Sequence, residues 1–177
     1  MAVILGTEGP DSRDGTPGND TFVLLGGSDI AIGGAGFDLM NGGPGNDSLF
    51  AGDDPDTLIG GTGRDHLFGG SGADTFRYFS VEESPVGAGN RDSVEDFQRG
   101  QDIIDLSRVD ADANAFGDQA FIFIGSQFFH GVAGELRVNI DSSGILVARM
   151  DVNGDSAADM QIEVHGTNSL FATDFIL

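Results

Sequence analysis

An aspartate recurs every nine residues through the first part of this chain: Asp11, Asp20, Asp29, Asp38, Asp47, Asp56, Asp65 and Asp74. Carboxylates are hard oxygen ligands, so an evenly spaced row of them suits a hard cation better than a covalent step. Each Asp stands at the sixth place of a nine-residue unit, and eight units run without insertion from Gly6 to Arg77. Four match G-G-x-G-x-D-x-U-x in full, where U is a large apolar residue: GGAGFDLMN (33–41), GGPGNDSLF (42–50), GGTGRDHLF (60–68) and GGSGADTFR (69–77). GTPGNDTFV (15–23) departs at Thr16 alone. LLGGSDIAI (24–32) and AGDDPDTLI (51–59) keep the Asp but lose glycines, and GTEGPDSRD (6–14) puts Arg13 at the apolar place.

That spacing dictates the elements that must position the carboxylates. Glycine at places one, two and four opens backbone angles closed to other residues, so places one to six form a tight loop. Places seven to nine form a short strand whose side chains alternate in direction. Place eight points inward, and Phe22, Ala31, Met40, Leu49, Leu58, Leu67 and Phe76 fill the interior. Two units make one turn of a flattened coil, so the aspartates fall into two columns: Asp11, Asp29, Asp47, Asp65, and Asp20, Asp38, Asp56, Asp74. Stacked loops bring neighbouring carboxylates to roughly one strand spacing, about 4.8 Å. Each gap then offers two carboxylates and inward-turned carbonyl groups, a set that suits Ca²⁺ better than the strictly octahedral Mg²⁺. Three gaps in each column give up to six ions. The Asp11–Asp29 gap is expected to be empty or weak, with the first unit frayed as a cap.

Composition agrees with a cation partner. Among 177 residues, 29 are acidic and 8 basic, every base is Arg, and the formal net charge is −21. So little positive charge argues against nucleic acid, whose binding rests on neutralising phosphates. No apolar run approaches the roughly 18 residues of a spanning helix, which argues against membrane insertion. The opening Met1–Leu5 has neither the basic start nor the long apolar stretch of a secretory leader. With no cysteine there is no disulfide framework and no thiolate site. Disorder is a risk at this charge, but 39% hydrophobic residues with 14 Phe argue for a folded chain.

The units at 6–77 resemble the RTX (repeats-in-toxin) calcium-binding nonapeptides, which form right-handed parallel β-rolls of two short parallel sheets with 18 residues per turn. The resemblance implies Ca²⁺ contacts from the side chains of Asp20, Asp29, Asp38, Asp47, Asp56, Asp65 and Asp74, and more weakly Asp11. It also implies contacts from backbone carbonyl groups of Gly18, Gly33, Gly34, Gly36, Gly42, Gly43, Gly45, Gly60, Gly61, Gly63, Gly69, Gly70 and Gly72. Asp54 at the fourth place and the charge of Arg13 put particular gaps in doubt. The outward places of the odd units include Ile30, Ile32, Phe50 and Phe68, an apolar face that calls for a cover. The rest of the chain is expected to pack on it.

Past Arg77 the period stops. Residues 81–91 read as an irregular connection, and 92–107 as a strand, a turn at Gly100 and a second short strand. Alternation returns in Leu136, Val138, Ile140, then Ile145, Val147, then Met160, Ile162, Val164, with Asp141-Ser142-Ser143-Gly144 a hairpin turn. The fold class is therefore all-β: a roll over 1–77 and a packed antiparallel, sandwich-like region over 78–177. DSVEDFQRGQDIIDLSRVDAD (92–112), AGELRVNID (133–141), DVNGDSAADMQIEVHG (151–166) and ATDFIL (172–177) resemble the C-terminal domain of serralysin-type secreted metalloproteases. That resemblance implies a secreted, extracellular protein whose C-terminus, ending Asp174-Phe175-Ile176-Leu177, is read by a type I exporter. A last β-strand tucked into a sheet explains the same apolar ending. Asp151, Asn153 and Asp155 are spaced like the start of an EF-hand loop, but Ser156 and Ile162 stand at its sixth and twelfth places. A polar turn and a further cation site both remain open there. His66, His130 and His165 lack ligand spacing.

The zinc motif H-E-x-x-H of the proteases does not occur, nor do a G-x-S-x-G elbow, a P-loop or a dinucleotide fingerprint. The sequence therefore reads as a non-catalytic, monomeric calcium module that folds after export. A second reading is a carbohydrate-binding accessory module, because RTX rolls are also similar to the R-modules of secreted alginate epimerases. It needs a cationic groove for the polysaccharide. A third is an enzyme or inhibitor with an unfamiliar site.

Overall fold

The computed structural model describes all 177 residues as two facing β-sheets that run the length of the molecule. The seven-stranded sheet contains β1 (Val3–Thr7), β3 (Thr21–Leu25), β5 (Leu39–Asn41), β7 (Thr57–Ile59), β9 (Thr75–Arg77), β11 (Ile103–Asp105) and β16 (Phe175–Ile176), in that order. The nine-stranded sheet starts with β2 (Ser12–Asp14), β4 (Ile30–Ala35), β6 (Ser48–Asp53), β8 (His66–Ser71) and β10 (Asp92–Val94). It continues through β15 (Met160–Val164), β14 (Leu146–Asp151), β13 (Glu135–Ile140) and β12 (Ile122–Phe123). No helix is long and apolar enough to cross a membrane.

The repeats form a parallel roll. Thr21 pairs with Leu39, Leu39 with Thr57 and Thr57 with Thr75, while Ile30 pairs with Ser48 and Ser48 with His66. Consecutive units therefore alternate between sheets, as the two-column reading requires. Phe22, Ala31, Met40, Leu49, Leu58 and Phe76 are fully buried between the sheets, and Leu67 nearly so. One continuous cluster of 28 buried apolar residues reaches from Phe22 through Met40 and Phe97 to Leu136 and Phe175.

Three expectations need correction. The first unit is not frayed: Ser12–Asp14 is a strand paired with β4, and β1 adds a further strand before it, with Ile4 in register with Phe22. Arg13 escapes burial by lying half-exposed along the roll, where Nη2 bonds the Asp11 carboxylate at 2.6 Å and Nε the Leu5 carbonyl at 3.2 Å. Nor does the rest of the chain cover the odd face. Ile30, Ile32 and Phe50 remain 48%, 49% and 37% exposed, and Phe50 covers itself by stacking on Phe68, ring centroids 4.5 Å apart.

The second half stacks on the end of the roll instead. β10 lies between β8 and β15, parallel to both, and β11 lies parallel between β9 and β16. Only β13, β14 and β15 are antiparallel to one another, joined in part by the turn at 141–144. End-on stacking satisfies the edge N–H and C=O groups that a finished roll would leave open, whereas a face-on cover would not. The C-terminal strand is tucked in as read: Phe175 is buried and pairs with Ile104. Leu49→Ala, which empties a fully buried site, is expected to lower stability by about 2–5 kcal/mol, and Phe50→Ser by about 1 kcal/mol or less. Urea unfolding in millimolar calcium measures both, and equal losses would contradict this arrangement.

Candidate functional site

The aspartates form the two expected columns, and every member does the same structural task. The backbone N–H of each Asp donates to the Oδ1 of the Asp one turn later: Asp11 to Asp29 at 2.7 Å, Asp29 to Asp47 at 2.8 Å and Asp47 to Asp65 at 2.8 Å. The other column runs from Asp20 to Asp38 at 2.7 Å, Asp38 to Asp56 at 2.7 Å and Asp56 to Asp74 at 2.9 Å. One carboxylate oxygen per turn thus fastens consecutive loops.

Both columns continue past the last repeat. Asp65 N–H donates to Asp92 Oδ1 at 2.9 Å, and Asp74 N–H to Asp102 Oδ1 at 3.0 Å. Reading by motif misses these two residues because only one of the three motif glycines is kept before each, Gly87 and Gly100. Counting in nines reaches Asp92, two whole units beyond Asp74, but would assign it to the Asp74 column, whereas it continues the column of Asp65. Asp96 completes the end of the stack. Inside the roll, Gly42 and Gly43 donate to the carbonyl groups of Ile59 and Gly60 in the next loop. Gly69 and Gly70 have no next loop, and both donate to the Asp96 carboxylate at 2.9 Å.

The second carboxylate oxygen separates the interior of each column from its ends. Oδ2 of Asp29, Asp38, Asp47, Asp56, Asp65, Asp74 and Asp92 is buried and has no hydrogen-bond partner. At the first turn the same oxygen is capped: Asp11 Oδ2 accepts from Thr7 N–H (2.6 Å) and Oγ1 (3.0 Å), and Asp20 Oδ2 from Thr16 N–H (2.6 Å) and Oγ1 (2.8 Å). Thr7 and Thr16 hold the second place of their units, where the complete units carry glycine. At the far end Asp102 Oδ2 accepts from Gln98 N–H at 2.7 Å. Dry, unpartnered carboxylate oxygens cost several kcal/mol each unless a cation or a proton meets them. Their arrangement therefore fits a hard, oxygen-seeking cation.

The loops nest so closely that side chains are excluded from key places. At Gly63, with φ 137°, an added Cβ would lie 1.6 Å from the carbonyl oxygen of Gly45 one turn below. At Gly42 and Gly60 it would lie 2.3 Å from the free oxygen of Asp47 and Asp65 respectively. Where glycine is missing, the chain still follows the path: Leu25 and Asp54 take φ of 71° and 78°, and Asp54 Oδ2 accepts from Gly36 N–H at 3.2 Å. Among the loop glycines expected to offer carbonyl groups, Gly18, Gly60 and Gly70 already accept one bond each, from Thr16 Oγ1 (3.3 Å), Gly43 N–H (3.0 Å) and Gln98 Nε2 (2.6 Å).

Electrostatics set most of the column members apart from Asp20 at the first turn. Burial, with repulsion from the column neighbours, raises Asp38 and pushes Asp47 up to about 6, Asp56 to about 7 and Asp74 to about 6. Burial also raises Asp65 and Asp92, which face each other and repel. Asp20 goes the other way because Thr16 N–H stabilises its charge.

The remaining candidates do not assemble into a site. Asp151 accepts N–H bonds from Asn153, Gly154 and Ser156, while Asp155 accepts from Ala157, the geometry of a polar turn. His66, His130 and His165 each face a different glutamate: Glu95, Glu135 and Glu163. Nowhere do three carboxylate or imidazole groups converge, so a cation in the columns would take two carboxylates at a time and complete its shell from the backbone.

The solved structures similar to this chain include two subunits of the Azotobacter vinelandii mannuronan C5-epimerase. The AlgE6R3 subunit is 27% identical with a TM-score of 0.55, over 96% of this chain and 80% of that one. The AlgE6R2 subunit is 24% identical with a TM-score of 0.49, over 98% of this chain and 91% of that one. The profile of the peptidase M10 serralysin C-terminal family matches residues 13–177, and the chain belongs to that family.

Proposed function

We propose that this chain is a calcium-binding β-roll module of a secreted protein, without catalysis of its own, whose folding depends on the ions it holds between stacked loops. The observation that carries this reading is the set of seven buried carboxylate oxygens with no partner. Ca²⁺ takes six to eight oxygens at about 2.3–2.6 Å in adaptable geometry, which irregular loops can supply. Both aspartates carry a free oxygen in five gaps: Asp29–Asp47, Asp47–Asp65, Asp65–Asp92, Asp38–Asp56 and Asp56–Asp74. Asp74–Asp102 offers one, as do Asp20–Asp38 and Asp11–Asp29, whose lower members are capped by threonine.

Extracellular calcium modules bind with dissociation constants of about 10⁻⁴–10⁻³ M. At ten times that constant each site adds about 1.4 kcal/mol by mass action, so five sites add about 7 kcal/mol, on the scale of a domain's whole stability. At cytosolic calcium they add almost nothing. The chain then leaves the cell unfolded through a type I exporter that reads its C-terminus, and folds outside. Burial of Phe175 and the pairing of β16 with β11 make that segment readable only before folding.

A second reading, an accessory module that binds an acidic polysaccharide, draws support from the 27% identity to an epimerase subunit. Calorimetric titration with alginate oligosaccharides at fixed calcium tests it, and heat equal to buffer dilution would exclude it.

Circular dichroism from chelator to millimolar Ca²⁺ is expected to change from a largely unfolded to a β spectrum; an unchanged spectrum would overturn the main reading. Asp56→Asn should raise the calcium midpoint several-fold and Asp11→Asn should leave it nearly unmoved, because Thr7 already occupies the free oxygen of Asp11. Acidity should stand in for calcium in the metal-free chain. Unfolded aspartates titrate near about 3.9, whereas Asp47, Asp56 and Asp74 in the metal-free roll hold their protons to about 6–7. Their contribution is complete below the unfolded value and is lost as pH rises through the folded ones. In chelator the β signal is therefore expected to grow as pH falls from 8 to 5, and in saturating calcium to stay level.

A further inference from the structure

The outer face of the antiparallel sheet carries a second, cationic feature that the calcium columns do not use. Arg137 on β13 and Arg149 on β14 are direct cross-strand partners, and Gln161 on β15 stands opposite Arg149. Like charges directly opposite one another destabilise a strand pair. Acids are plentiful in this chain, yet neither guanidinium has one as a partner. Every carboxylate on this face is already engaged: Asp141 and Glu163 by Arg91, Glu135 by His130, and Asp151 by backbone N–H groups. Arg149 is left with Asn139 Oδ1 and the Val147 carbonyl. The Nε of Arg137 is buried with no partner, and its guanidinium lies 4.9 Å from the centre of the Phe128 ring and 5.5 Å from that of Phe129. Burial and repulsion from Arg91 and Arg137 lower the pKa of Arg149, against the opposing attraction of Asp141.

The flanks of this pair are built up. Over β15, Ser84, Gly87 and Arg91 of the connecting segment bond Gln161 and Glu163. Over β13, His130 bonds Glu135 while Phe128 stands 82% exposed beside Arg137. We propose that Arg137, Arg149 and the Phe128 ring form a binding site for a uronate unit of an acidic polysaccharide. The two planar guanidinium groups take the carboxylate through paired hydrogen bonds, as arginine does best, and the exposed ring supports the apolar face of the sugar. The proposed site offers a polyanion two arginines free of carboxylate partners, on a face whose four carboxylates are engaged elsewhere. It rests on the second reading, that the module binds an acidic glycan.

The test is calorimetric titration of the full chain in saturating calcium with mannuronate oligosaccharides, a neutral mannan of equal length, and inorganic phosphate. The expected result is saturable binding of the oligouronate alone, weakened about tenfold or more in Arg149→Gln, as for a lost charged hydrogen bond, and also weakened in Phe128→Ser. Phe128 is exposed, so that variant leaves the core intact, and circular dichroism confirms the fold of both. Undiminished oligouronate binding by both variants overturns this site while leaving the second reading standing. Phosphate binding as strong as the oligouronate's overturns the sugar part and leaves a bare anion site. No binding of the oligouronate by the unaltered chain overturns the second reading and this site together.

Discussion

The structure turns on a conflict inside each aspartate of the roll. One oxygen must stay in the loop to accept the N–H of the previous turn, and that fixes the whole carboxylate in a buried position. The other oxygen is then dry and unpartnered. A buried carboxylate without compensation either protonates or finds a cation, which is why Asp47, Asp56 and Asp74 are pushed up to about 6–7 without metal. The fastening between turns and the demand for an ion are therefore two consequences of one placement. Only where a neighbour caps the second oxygen, as Gln98 N–H does at Asp102 and Thr16 at Asp20, is the fastening kept without the demand.

The thin apolar core leaves much of the stability for the proposed ions to supply. Each strand of the roll sends little more than its place-eight residue fully into the interior, so a whole turn buries about two large side chains, such as Met40 and Leu49. That is a thin return against the conformational entropy of ordering eighteen glycine-rich residues. The outer faces add little, since Ile30, Ile32 and Leu39 stay substantially exposed. The missing stability must come from the loop edges. Thr7 and Thr16 show what happens where the ladder stops: a hydroxyl and a backbone N–H take the place that a cation would fill.

Periodicity made much of this legible in advance. An eight-fold repeat of Asp with an apolar residue two places on specifies which side chains go inward, which units share a sheet, and where the carboxylates meet. It says nothing about places that keep the geometry while losing the letters. β1 (Val3–Thr7) was hidden because Ala2, not an aspartate, stands at the sixth place of its unit. Asp92 and Asp102 were hidden because the loops before them, 81–91 and 95–101, keep too little of the glycine motif, although the backbone returns to the two columns. The apolar odd face misled for a different reason. Exposed isoleucine and stacked phenylalanine are tolerated on a narrow sheet, and unsatisfied strand edges at the end of the roll were the stronger demand on the remaining chain.

That demand ties the two halves into one cooperative unit. The second half supplies the next carboxylates of both columns in Asp92 and Asp102, the cap for the last glycine loop in Asp96, and the next strand of each sheet in β10 and β11. Each of these must arrive in a set order on a set sheet. Adding one nine-residue unit to the roll would exchange the sheets on which its last two strands lie and set β10 against the wrong neighbour. Adding two would restore the order and create two more gaps for ions. The roll can thus change length only by whole turns of eighteen residues, because its end is shaped to fit one phase of the repeat.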